Sequence, residues 1–155
     1  LQRAQNQQFF DIVIIDFPDP NNYSLGKLYS NHFFRMLRRI LHEDSVLSIQ
    51  STSPMFSPNS FWCIAKTIAH ENFYVKPYHV YVPTFGEWGF ILASPQSLET
   101  KRSFLDSLKF LDANIYDAMF HFPKDMTRNN VPINRLDNQA LVRLYEEEWN
   151  KIILK

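Results

Sequence analysis

Cysteine is almost missing from this sequence: Cys63 is the only one in 155 residues, which excludes disulfides and cysteine-based zinc sites. Set between Trp62 and Ile64 on a helical pattern, it reads as a small buried hydrophobe rather than a nucleophile. Glycine is nearly as scarce. Only Gly26, Gly86 and Gly89 occur, too scattered to form the glycine-rich turn that cradles phosphates at a helix N-terminus. No apolar run approaches the roughly 20 residues of a membrane span, and the first residues carry neither the charged nor the apolar region of a signal peptide. Sixteen basic side chains balance sixteen acidic ones, and no basic cluster is longer than Arg38-Arg39, so the electrostatic footprint of a nucleic-acid or anionic-membrane binder is missing. His32, His42, His70, His79 and His121 lack metal-ligand spacing, and no Gly-x-Ser-x-Gly elbow is present. The expectation is a cytoplasmic piece with no metal, no nucleic-acid partner and no membrane contact.

What is present suits one packed domain: 45% hydrophobic and 15% aromatic residues, with an ordinary 21% charged. The opening LQRAQNQQFF has no initiator methionine and reads as the tail of a helix or linker that runs straight into a strand. A start inside a longer protein is expected.

The rest is organised around Phe10 to Ser30, FDIVIIDFPDPNNYSLGKLYS. Ile12 to Ile15 are four β-branched residues, and Asp16 stands where the strand must end because Pro18 and Pro20 cannot continue a ladder. A continuous apolar run predicts a strand covered on both faces, as in a parallel sheet. Ligands of such sheets bind outside the carboxyl ends of the strands, which puts Asp16 and Asp19 at the rim. Helical spacing of Leu28, Tyr29, Phe33, Met36, Leu37, Ile40 and Leu41 predicts a crossover helix, and Ser45 to Gln50 a second strand. Asp16, Asp19 and Gln50 should then converge on one edge.

Further on, Pro58 suits the first turn of a helix that ends near Asn72. Phe73 to Val82 alternates as a strand, and Pro77 within it argues for a sheet edge or a bulge. Pro83 to Trp88 reads as a turn, and Gly89 to Ala93 as a short strand returning antiparallel. Beyond Ser94 the spacing predicts a helix over Leu98 to Leu111, a short helix capped by Asp112 and running to Met119, and a last helix capped by Asp137. The apolar stripe of that last helix is Leu141, Leu144, Tyr145, Trp149 and Ile152, with Glu146 to Glu148 mostly on its solvated face.

Two carboxylates three positions apart in a stiff turn can hold a cationic amine, and one can take its proton. Asp16 ending a strand and Asp19 capping a turn account equally well for the same spacing. Gln50 alone is a weak signal, and Tyr78, Tyr81, Phe85 and Trp88 read mostly as core, although residues after Pro83 could wall a pocket.

DIVIIDFPDP, then Gly26-Lys27-Leu28-Tyr29 and Phe33-Phe34, then IQSTSP, then VPTFGEWGF, resemble the C-terminal portion of the spermidine synthases, the polyamine aminopropyltransferases. The tail, HFPKDM through LDNQALVRLYEEEW, is similar to the extension on long bacterial spermidine synthase-like proteins whose other portion is membrane-embedded. The resemblance implies an α/β fold, the C-terminal half of a Rossmann-like, S-adenosylmethionine-methyltransferase-type sheet over residues 1–99, with a helical extension over residues 100–155 packing on it. It implies that the parent transfers an aminopropyl group from decarboxylated S-adenosylmethionine to putrescine or a similar diamine, giving spermidine and methylthioadenosine. Asp16 matches the family's proton acceptor, Asp19 the acid that holds the amine, and Gln50 a substrate-contacting glutamine. Phe85, also a substrate-side position, stands where many relatives have a tyrosine, in a turn two residues shorter than their P-T-Y-P-S-G form. The family's glycine-rich loop and ribose-binding acid have no counterpart, so the piece alone should bind no nucleoside, should be inactive, and should form a homo-oligomer. Two alternatives stand beside this reading: an S-adenosylmethionine-dependent amine methyltransferase, whose strand also ends in an acid-proline turn, and a non-catalytic interaction module.

Overall fold

The computed structural model describes residues 9–98 and 104–153. β1 (Phe10–Ile15) leads through α1 (Tyr23–Gly26) and a single 3-10 turn (Lys27–Tyr29) into α2 (Asn31–Arg38). β2 (Leu41–Gln50), α3 (Pro58–His70), and the hairpin of β3 (Tyr74–Val82) and β4 (Gly86–Ser94) complete the sheet unit. α4 (Ala113–Met119) and α5 (Ala140–Ile153) follow. The strands lie in the order β1-β2-β4-β3, with β1 parallel to β2 and β4 antiparallel to both its neighbours. The last strand is thus inserted between the two before it, an arrangement that leaves Pro77 on the outer strand, where its missing N–H costs no ladder bond.

One face of the sheet is the core. Leu47, Ile49, Ile91 and Ala93 alternate inward and share a buried cluster with Phe61, Ile64 and Ile68 of α3 and Phe34 and Leu37 of α2. Cys63 belongs to it, fully buried, its thiol pushed up to about 12 by burial, which keeps it protonated and inert.

β1 departs from expectation. Val13 and Ile15 face the core, but Ile12 and Ile14 are 72% and 77% exposed, because β1 is an outer strand whose second face has no cover among the described residues. The predicted crossover helix is also broken. Ser30 adopts an extended backbone, its hydroxyl donates to Lys27 O at 2.7 Å, and its Oγ accepts the Phe33 N–H, so α2 starts at Asn31. The helix ends before Leu41, which opens a second strand longer than predicted. Phe10 pairs with Leu41 and Ile12 with Val46, so residues 42–45 of β2 bulge out, held by Ser45, which accepts the His42 N–H and donates to Phe10 O. β4 likewise begins at Gly86, leaving residues 83–85 as the turn.

In the tail, Asp112 caps α4 by accepting the Ile115 N–H, as its spacing predicts. No helix forms over residues 104–111, where a helix was predicted; residues 99–103 of that stretch lie outside the described residues. Nor does Asp137 cap α5. Asn138 does so, its Oδ1 accepting the N–H groups of Arg135 and Ala140, in a turn where Gln139 takes a φ of 45°. Buried Asn134 ties the tail to the sheet unit: Nδ2 donates to Gly26 O, Oδ1 accepts from Leu141 N, its N–H donates to Thr67 Oγ1 and its carbonyl accepts from Asn31 N. Glu148, expected in solvent, is buried against the first turn of α3. No described helix is long and apolar enough to cross a membrane.

Candidate active site

The carboxyl ends of β1 and β2 open into a cavity of about 880 Å³. Asp16, Asp19 and Gln50 line it together with Phe85, as their places in the sequence predict. Ile14, Pro18, Phe90, Trp88 and Tyr145 also line it.

The two carboxylates are not equivalent. Asp16 is exposed at the end of β1 and makes no hydrogen bond or ion pair with any described residue. Asp19 is half-buried, and its Oδ2 accepts from the Tyr145 hydroxyl at 2.8 Å and from Thr52 Oγ1 at 3.4 Å. One carboxylate thus stands exposed with no partner among the described residues, while the other is held from the protein side.

Gln50 sits deeper. An indole N–H can only donate, so the amide is oriented with Oε1 accepting from Trp88 Nε1 at 2.9 Å. Nε2 then donates to Phe17 O at 3.0 Å and to the Tyr29 hydroxyl at 3.2 Å. The Tyr29 hydroxyl in turn donates to a backbone carbonyl of the acidic turn, with Phe17 O at 3.0 Å and Pro18 O at 3.1 Å. Burial, and after it the charges of Asp19 and Asp16, drive the Tyr29 phenol far above its ordinary range, so it remains a neutral donor. The glutamine, the tyrosine and the turn thus lock one another, and the turn that carries both acids is held from beneath.

The loop after β2 is built to the same end. Ser51 N donates to Gly89 O and Gly89 N to Thr52 O, at 2.9 and 2.8 Å. A Cβ on Gly89 would meet the Phe61 ring and sit 2.7 Å from Thr52 O, so only glycine lets the strands close up here. Thr52, fully buried, holds a left-handed backbone at φ 62°, a conformation that costs a β-branched residue on the order of 1–3 kcal/mol. It spends that strain at the position where its hydroxyl faces Asp19.

Phe85 stands at the mouth, largely exposed, its ring 5.2 Å from that of Trp88. With no hydroxyl to offer, it contributes apolar wall. Sequence reasoning missed Tyr29, Thr52 and above all Tyr145, which it placed in an apolar stripe. The one available signal was a hydroxyl-bearing residue within that stripe.

A cavity lined by two acids and several aromatic rings, at the strand ends of an open sheet whose last strand is inserted antiparallel, goes with a methyltransferase-like α/β fold. Residues 1–104 match the spermine/spermidine synthase domain. The chain belongs to the spermidine synthase family. It is 56% identical over 149 residues to a polyamine aminopropyltransferase of Leptospira interrogans, covering 96% of this chain and 30% of that protein. It is 46% identical over 146 residues to polyamine aminopropyltransferase 2 of Ralstonia nicotianae, covering 93% and 29%. The chain therefore spans less than a third of the length of these curated relatives. Among solved structures, a spermidine synthase in complex with the transition-state analogue AdoDATO superposes with a TM-score of 0.66 at 23% identity, over 77% of this chain and 45% of that one. The spermidine synthase of Thermotoga maritima gives 0.61 at 22% identity, over 77% and 44%. At such identities the likeness is one of fold.

Proposed function

We propose that this chain carries the amine-binding side of a cytoplasmic polyamine aminopropyltransferase, the complete protein transferring an aminopropyl group from decarboxylated S-adenosylmethionine to a diamine such as putrescine. The observation that carries the reading is the contrast between Asp16, at the cavity rim with no partner among the described residues, and Asp19, held by Tyr145 and Thr52. A diamine enters doubly protonated. Asp19 anchors its charge, and the carboxylate of Asp16 takes a proton from the attacking ammonium, because nitrogen has no lone pair to offer until it does. The freed amine forms a bond to the methylene beside the sulfonium, the carbon–sulfur bond breaks, and its electron pair neutralises sulfur, leaving methylthioadenosine and spermidine. Phe85, Trp88 and Phe90 give the methylene chain of the diamine an apolar wall.

The nucleoside of the donor falls to other parts of the complete protein on this reading. Gly26 is taken up by its contact with Val142, Gly86 by the hairpin turn at φ 74°, and Gly89 by Phe61 and Thr52. The test is product analysis: the complete protein, given putrescine and decarboxylated S-adenosylmethionine, should yield spermidine and methylthioadenosine in equal amounts. N-methylputrescine formed from S-adenosylmethionine would instead make it a methyltransferase, and absence of turnover with either donor would make it a binding module.

A further inference from the structure

The tail helix α5 reaches the cavity through one residue. Leu141, Tyr145 and Glu148 are spaced to share one face of α5, and each does a different thing: Leu141 fills the core, Glu148 binds the first turn of α3, and Tyr145 puts its hydroxyl on Asp19 Oδ2 at 2.8 Å. We propose that Tyr145 is a positioning residue for the amine substrate, holding the Asp19 carboxylate in the orientation that receives an ammonium, so that the tail helix completes the amine site. The inference rests on the amine-binding reading above and adds to it a residue beyond the 1–104 stretch matched by the family domain.

Three observations support it. A carboxylate only accepts, so the hydroxyl must donate, and the burial of the phenol together with the Asp19 charge holds its proton on at any working pH. Apart from Tyr145, the carboxylate's described polar side-chain neighbours are Thr52 at 3.4 Å from Oδ2 and the Gln50 amide at 3.4 Å from Oδ1, both long contacts that hold its orientation weakly. The helix also does not need this bond for its own attachment: Leu141 and Val142 are buried, Asn134 holds the Leu141 N–H, and Glu148 carries four contacts to α3. With the fold secured elsewhere, the Tyr145 hydroxyl is spent on the site. Oδ2 is thereby occupied from the protein side, while Oδ1 lies 3.4 Å from the Gln50 amide at the cavity wall.

The experiment uses the complete protein and the variants Tyr145→Phe, Asp19→Asn and the two combined, with putrescine binding measured by calorimetry and, where turnover is present, KM and kcat. Tyr145→Phe should weaken putrescine binding about 10-fold, the scale of one hydrogen bond to a charged group, and raise its KM in proportion, with kcat and the KM for the aminopropyl donor within about threefold. In the Asp19→Asn background the same substitution should change affinity by less than about twofold, because the residue it positions is gone. Melting curves establish that each variant is folded; if Tyr145→Phe is not, Tyr145→Trp, which restores bulk and a donor, takes its place with a smaller loss expected. Unchanged putrescine affinity in a folded variant overturns the proposal, as does an equal loss in both backgrounds. Binding without turnover would sink the transferase reading while the affinities still decide the role of Tyr145, and a wild type that binds no diamine overturns both.

Discussion

Glu148 of α5 closes the amino end of α3 at Ser60, 88 residues earlier in the chain: Oε2 accepts the Ser60 N–H at 3.1 Å and the Ser60 hydroxyl at 2.7 Å. Its Oε1 takes the Asn59 N–H at 2.7 Å and the Asn59 amide at 2.8 Å. Ser57, the residue before the helix, makes no capping bond, so the first turn of α3 is capped by another helix. Glu148→Ala leaves buried donors unmatched and should cost about 3 kcal/mol, while Glu148→Gln keeps an acceptor and should cost roughly half of that. Denaturant unfolding checks both; equal, small losses would show that the cap is dispensable.

Arg35 and Glu71 join α2 to the end of α3 through a two-pronged contact, Nε to Oε2 at 2.9 Å and Nη2 to Oε1 at 3.0 Å, with Asn31 adding a third bond at 3.1 Å. The Arg35 hydrogen bond first, and then that of Asn31 and the nearby cationic charge, hold the Glu71 carboxyl below its usual range against the opposing pull of burial. A carboxylate whose folded value is depressed stabilises the protein above the unfolded value of about 4.3 and loses that contribution as pH falls through the folded one. Melting temperature should therefore drop on acidification below about pH 4.3, and Glu71→Gln should flatten that part of the profile. A parallel drop in wild type and variant would assign the acid sensitivity to other groups.

Asp16 and Asp19 should separate kinetically in the complete protein. If Asp16 is the proton acceptor proposed above, Asp16→Asn should lower kcat by roughly 100-fold or more with the fold intact. If Asp19 is the proposed anchor, its interaction with the amine is present in both ground and transition states, and Asp19→Asn should raise KM for the diamine more than it lowers kcat. Steady-state rates over a range of putrescine concentrations read both; an Asp16→Asn enzyme within about threefold of wild type would make that residue structural.

The parts of this site legible in the sequence are those set by local chemistry. Pro18 and Pro20 had to end β1 and Pro58 marks the first turn of α3, because each follows from what a proline does to its own backbone. Asn134, Glu148 and Tyr145 were illegible because their partners lie 108, 88 and 126 residues away, and nothing local marks Tyr145 in an apolar stripe or Glu148 on a polar face as a residue that finds such a partner. Ile12 and Ile14 misled for a related reason: a continuous apolar run states that a strand can be covered on both faces and is silent on what does the covering. Ser30 was misread through its surroundings, since the helical spacing runs on either side of it while its hydroxyl restarts the helix.

The last prediction comes from β1. Its ladder is filled by β2 on one side alone among the described residues, and on the open face Phe10, Ile12 and Ile14 stand beside Val46, whose partner across the ladder is Ile12. An outer strand with apolar side chains and unfilled backbone groups pairs readily with another of its kind. The 155-residue chain, prepared by itself, should therefore self-associate, and Ile12→Lys with Ile14→Lys, which set charges on the bare face without touching Val13 or Ile15, should shift it toward monomer. Light scattering across a concentration series reads the first part, and calorimetric titration with methylthioadenosine, which this chain should not bind, reads the companion expectation about the nucleoside. A wild-type chain that stays monomeric and binds methylthioadenosine at micromolar concentration would mean that β1 needs no partner and that the nucleoside site lies within these residues.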